Sequence, residues 1–195
     1  MSLPVLLLGI LLIIGFYILS VYNKFKVTET RLKASIQEIG NQLKRQADMI
    51  PNLVASVKGY MQHEQKALDK ITEARKTILE AVKSADSQKL VNAASAVASA
   101  LTPIKAVFES TPELKAAGPT QKLMDELRDT ADKVMYSRRT LIDLTADYNV
   151  MVVTVPSSLV ANVFKFTAKP GLTTPESGEH LEVSPKEMET PKVNL

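Results

Sequence analysis

The chain has no cysteine and no tryptophan, only two histidines and seven glycines, and 5% of its 195 residues are aromatic. Lack of cysteine excludes disulfides and thiolate-bound zinc, and it is compatible with either redox compartment. His63 and His180 are too few for a histidine-based metal site. His63-Glu64 begins like a zinc-protease motif, but that chemistry needs a second histidine four residues on, and position 67 is alanine. Scarce glycine leaves no phosphate-cradling loop, and Ser157-Ser158 has no basic partner suited to activating a nucleophile. A net charge of +3 is mild, and no basic stripe is interleaved with aromatics, which argues against a nucleic-acid surface. The sequence therefore predicts no catalytic, cofactor-binding or metal-binding residues, no small-molecule substrate and no nucleic-acid partner.

What the chain does have is a long apolar run. No charged side chain occurs from residue 3 to residue 22. Twenty residues of helix at 1.5 Å each cover a hydrocarbon core of roughly 30 Å. A buried helix of a soluble core is disfavoured by unbroken stretches such as Leu6-Leu7-Leu8 and Leu11-Leu12-Ile13-Ile14. A cleaved signal peptide is disfavoured by the missing basic n-region, the length of the run and the lack of a small-x-small site after it. Lys24, Lys26, Arg31 and Lys33 follow the run and only Met1 and Ser2 precede it. Positive residues are retained in the cytoplasm, so a single-pass anchor is expected in the cell membrane, with a short outside N-terminus and a cytoplasmic domain. Tyr17 and Tyr22 would lie at the inner headgroup level.

Beyond the anchor, Ala, Leu, Lys, Glu and Val dominate, the composition of long helices. Phe25, Leu32, Ile36, Ile39 and Leu43 keep a helical spacing, so the anchor helix is expected to run on into the domain. Pro51 is the first breaker. The residue before a proline avoids the α region, which predicts a boundary at Ile50 and a tight hairpin, with Pro51 in the first turn of a second helix of about 34 residues. That helix carries Val57, Met61, Glu64, Leu68, Ile71, Arg75, Ile78 and Val82 at alternating four and three spacing, the seam of a left-handed bundle. A third helix after Ser87 repeats the spacing with Leu90, Ala94, Val97, Leu101, Ile104 and Phe108, and Pro103 is expected to kink or restart it. Ser110-Thr111-Pro112-Glu113 matches a capping box that opens a short connector closed by Gly118-Pro119. A fourth long helix then places Met124, Leu127, Ala131, Val134, Arg138, Leu141, Thr145, Tyr148 and Val152 on one face and ends before Pro156.

From residue 168 onward, prolines, glycines and scattered charges replace large apolar residues, and three lysines face five glutamates, which leaves +5 for the remainder of the chain. Such a segment is expected to be disordered. The predicted organisation is an all-α protein: an anchor over residues 1–23, a long antiparallel helical bundle over 24–167, and a polar tail over 168–195.

The stretch Leu43-Lys44-Arg45-Gln46-Ala47-Asp48-Met49-Ile50-Pro51-Asn52-Leu53-Val54, followed by Val57-Lys58-Gly59-Tyr60, His63-Glu64 and Ala74-Arg75, resembles the LemA family of bacterial proteins. Glu126-Leu127, Arg138, Tyr148-Asn149 and Pro156 agree with the family's last long helix, so the resemblance covers roughly residues 22–166. Gln46 departs from a common Arg, Ala131 from a typical Glu, Leu141-Ile142 from a Tyr-Asn, and Val155 from a Phe before the proline. The resemblance implies a single-pass membrane protein with a cytoplasmic antiparallel helical bundle, no established catalysis and no known cofactor, some relatives being associated with building membrane compartments.

Two groups of residues stand out as candidate sites. Glu64, Arg75 and Arg138 form a polar seam, because a charge on a core-facing position needs a partner to offset its desolvation. Glu64 and Arg75 are about 16 Å apart along one helix, so Arg138 is the expected partner of Glu64. The second group is Leu159, Val163, Phe164, Lys165 and Phe166. Alternating helix directions return this segment to the bilayer surface, where it either packs in the core or lies in the interface with Lys165 and Lys169 toward anionic headgroups. The function expected is a non-enzymatic scaffold or assembly protein at the inner face of the membrane. It would contact lipids through its N-terminal helix and associate with itself or with other membrane proteins. Competing readings are an accessory or regulatory subunit of a membrane enzyme or protease, and a lipid-binding, membrane-shaping module.

Overall fold

A computed structural model describes residues 3–61 and 64–173, and among them the only regular elements are helices. In chain order these are α1 (Leu3–Val57), α2 (Gln65–Ser84), α3 (Ser87–Ser110), α4 (Pro112–Ala116), α5 (Gly118–Val153) and α6 (Ser157–Phe164). α1 packs chiefly along α5, α2 packs on α3 and α1, and α6 bridges α5 and α1.

α1 is one unbroken helix of 55 residues with two characters. Up to residue 20 no side chain is buried. From Phe25 onward one stripe is, through Leu32, Ile39, Leu43, Ile50, Leu53 and Val57. The break predicted at Ile50 does not occur, and Pro51 lies inside α1. An interior proline costs about 3 kcal/mol, whereas burying Ile50, Leu53 and Val57 contributes about 1.5 to 3 kcal/mol each. Burial wins, and the chain turns only after Val57, where the amides of Tyr60 and Met61 both donate to the Val57 carbonyl. Consequently α2 has 20 residues instead of about 34.

α3 passes through Pro103 without a break. Ser99, whose carbonyl loses its helical partner there, is an exposed residue. Asp86 caps α3 by accepting from the Lys89 amide at 2.9 Å, after Ala85 turns the chain in the left-handed region at φ 51°. The capping box expected at Ser110 to Glu113 does not form. Ser110 instead ends α3 with its hydroxyl on the Val107 carbonyl, and Thr111 caps α4 without a side-chain bond.

The buried face of α5 also differs from the one read from sequence. Thr130, Ser137 and Met151 are buried, while their neighbours Ala131, Arg138 and Val152 are exposed or half-buried. Small hydroxyl residues can take core positions because they bond to their own helix: Thr130 Oγ1 donates to the carbonyls of Glu126 and Leu127, both at 3.0 Å. Arg138 thereby moves to the flank.

α2 and α3 do not run the full length of α1 and α5. Where they stop, residues 157–173 take their place. The chain leaves α5, makes α6, turns at Lys165 (φ 58°) and runs back along the bundle. Asn149 holds this returning segment from both sides: its Nδ2 donates to the Lys169 carbonyl at 2.9 Å and its Oδ1 accepts from the Lys169 amide at 2.8 Å. Leu172 packs against the core, and the Thr173 amide donates to Gln88 Oε1 at 2.9 Å. The boundary predicted at residue 168 is therefore too early. The reading of disorder over residues 174–195 lies outside the described residues, as do His63 and His180.

Candidate functional site

Three groups of side chains join the helices in ways that simple apolar packing does not require. The first lies where the exposed part of α1 meets the bundle. Phe25 stacks on Phe166 with ring centroids 4.4 Å apart and meets Tyr148 edge-on at 5.3 Å, while Tyr22 sits 4.9 Å from Phe164 and 5.7 Å from Phe166. Each such pair adds about 0.5 to 1.5 kcal/mol beyond area burial. The rings come from α1, α5 and the end of α6, so one cluster fixes all three.

Beside it, Glu29 accepts from Tyr148 Oη at 3.1 Å and pairs with Lys169 Nζ and Lys26 Nζ, each at 3.2 Å. Burial pulls the Glu29 carboxyl upward, but the hydrogen bonds from Lys169, Lys26 and Tyr148 together outweigh it and hold the group below its ordinary value. The same site pushes the Tyr148 phenol up to about 12, first through burial and then through the Glu29 charge and hydrogen bond. Lys26 and Lys169 also lie over the rings of Phe166 and Tyr148, at 5.0 and 5.3 Å. Glu29 is not among the candidate site residues that the sequence suggests. Tyr148-Asn149 was the signal that could have located this cluster.

The second group explains Arg75. Its Nε donates to the Ala47 carbonyl at 2.9 Å, across from α2 to α1. Ala47 is four residues before Pro51, so its carbonyl is the one that the missing proline N–H leaves free. Arg75 thus closes the gap that Pro51 opens, and its core-side position needs no acidic partner. The predicted pairing of Glu64 with Arg138 is not made. Glu64 is exposed at the start of α2, Arg138 is half-buried on α5, and among the described residues no ion pair joins them. Across α1 and α5 the pair that does form is Arg45 with Glu126.

The third group is a cleft of about 290 Å³ between α3 and α5, walled by Val97, Leu101, Leu127 and Met135, with Arg138 at its edge. Buried Gln46 and exposed Ala131 both line it. Gln46 of α1 and Ala131 of α5 therefore border one cleft, and both are uncharged.

The second predicted site is divided. Phe166, Val160 and Ala161 are buried, while Leu159, Val163, Phe164 and Lys165 are exposed.

Among the described residues, two helices are long and apolar enough to cross a membrane by length and composition, α1 and α3. In α3, 39% of the apolar stretch is buried against the bundle, but in α1 only 6% is, so α1 is the one with an apolar surface that the protein itself leaves uncovered. Among known proteins, the family model for the LemA family matches residues 35–186, most of the chain and further toward the C-terminus than the motifs alone extend. No curated protein matches the chain.

Proposed function

The chain belongs to the LemA family, and from that premise we propose that it is a membrane-anchored, non-enzymatic helical scaffold that works by association at the inner face of a bacterial membrane. The observation that carries this reading is the continuity of α1. Residues 3–22 are apolar on every side, and the same helix then becomes the central member of the bundle. A domain joined in this way is held at a set height and tilt. From Tyr22 to Val57 the helix extends about 50 Å from the membrane surface at 1.5 Å per residue. Lys24, Lys26, Arg31 and Lys33 favour the cytoplasmic side for the bundle, and Glu29, the acid among them, is offset by Lys26 and Lys169.

A rigid rod with a long exposed flank is suited to holding partners side by side. Mild extraction of the full chain from its native membrane, followed by mass measurement of the intact particle, tests this. The expected particle contains several copies of the chain, or the chain with other membrane proteins. A lone monomer in every extraction condition would overturn the scaffold reading.

A further inference from the structure

We infer that the outer face of α6 is a second membrane contact, a lipid-binding surface that lies in the headgroup region of the bilayer that holds α1. It rests on the reading of α1 as the anchor. The placement comes from antiparallel packing. Tyr148 of α5 packs against Phe25, and the five further residues to Val153 carry α5 about 8 Å toward the apolar part of α1, just past the level of Tyr22. α6 begins there, and the contacts of Phe164 and Phe166 with Tyr22 fix it at that height.

At that level α6 presents apolar side chains to no protein partner. Leu159 and Val163, one turn apart on the helix, are 63% and 74% exposed, and Val155, in the turn that leads into α6, is 79% exposed. The opposite face, Val160 and Ala161, is buried in the bundle. An eight-residue helix with both faces apolar is poorly suited to water on one side, and an apolar face at headgroup height matches an interfacial helix. Lys165 is exposed at its C-terminal end, and Lys24 and Lys26 are exposed beside Tyr22 on α1. These cations lie around the apolar face where anionic headgroups would be met. The continuity of this face with the uncovered surface of α1 selects a lipid surface over a second protein as its occupant.

The absence of cysteine allows a direct test on the full chain in vesicles of phosphatidylcholine with phosphatidylglycerol. Single spin labels at Leu159→Cys, Val163→Cys, Leu11→Cys and Tyr136→Cys are compared for collision with oxygen, which concentrates in lipid, and with a water-soluble nickel chelate. The inference expects the Leu159 and Val163 labels to prefer oxygen, as Leu11 does, while the Tyr136 label on the far part of α5 prefers nickel. All four positions are exposed, so the labels leave the core intact. Nickel preference at 159 and 163 with oxygen preference at 11 would overturn the α6 contact alone. Nickel preference at 11 as well would overturn the anchor and the α6 contact together.

Discussion

The two halves of α1 are both rich in apolar residues, yet they meet different surroundings. Phe16, in the first half, is 77% exposed, and Phe25, nine residues on, is fully buried between Phe166 and Tyr148. The difference lies in pattern. The first half is apolar on every side, so no single face can be covered by a partner helix. The second concentrates its apolar residues on one stripe, with Gln46 among them, and leaves lysines and glutamates on the other. One helix therefore carries two patterns, and the change between them falls near Tyr22, where the proposed anchor would give way to the bundle.

The sharpest way to break this comparison is to truncate one ring in each half. Phe25→Ala should lower the unfolding free energy of the bundle by about 3 to 5 kcal/mol, because it empties the centre of the aromatic cluster. Phe16→Ala should leave that stability within about 0.5 kcal/mol. Denaturant titration of the detergent-solubilised protein checks both, and equal losses would show that the halves are not distinct.

Next in size is the tie at Pro51. Arg75→Ala leaves the Ala47 carbonyl without its donor and should cost about 1 to 3 kcal/mol. In a Pro51→Ala background the restored amide supplies that bond, so the cost of removing Arg75 should shrink. A double-mutant cycle reads the difference, and an unchanged cost would mean that Arg75 acts through packing alone.

Protonation gives a smaller effect with a defined sign. Folding holds the Glu29 carboxyl below its reference value of 4.5, so its contribution is complete above that pH and is lost as pH falls through the lower folded value. The Tyr148 phenol is raised from 10 to about 12, so its contribution is complete below pH 10 and is lost as pH rises toward 12. Glu29→Gln should flatten the acid limb of a stability profile, and Tyr148→Phe the alkaline limb. Smallest of all is Arg45→Ala. Its pair with Glu126 is more than a third exposed on both sides, and its loss should cost less than about 1 kcal/mol; a larger loss in thermal unfolding would assign it a role beyond a surface bridge.

Much of the fold was legible from spacing. The long apolar N-terminal helix, its continuation into the bundle, the start of α3 at Ser87 and the end of α5 before Pro156 follow from periodicity and breakers. Pro51 was misread because local rules disfavour a helix there, and only the buried stripe through Val57 and the distant Arg75 reverse that preference. Thr130 and Ser137 were missed as core residues because a hydroxyl satisfied by its own helix looks polar in sequence and behaves as apolar in packing. The segment held by Asn149 was invisible for a different reason. Residues 167–173 have little apolar character, and they are ordered by side-chain bonds to backbone from partners 20 and 85 positions away. Glu64, Arg75 and Arg138 show the same limit: periodicity put them on seams, but it could not say that a carbonyl, and not a carboxylate, would meet the guanidinium of Arg75.

The central claim is that α1 crosses from apolar surroundings into the bundle without a hinge. Its most direct test is a pulsed spin-label distance between Leu11→Cys and Asn41→Cys in bilayer nanodiscs, both sites being exposed. Thirty residues of continuous helix predict one narrow distribution centred at about 45 Å. A broad distribution, or a shorter centre, would place a flexible joint near Tyr22 and contradict the account.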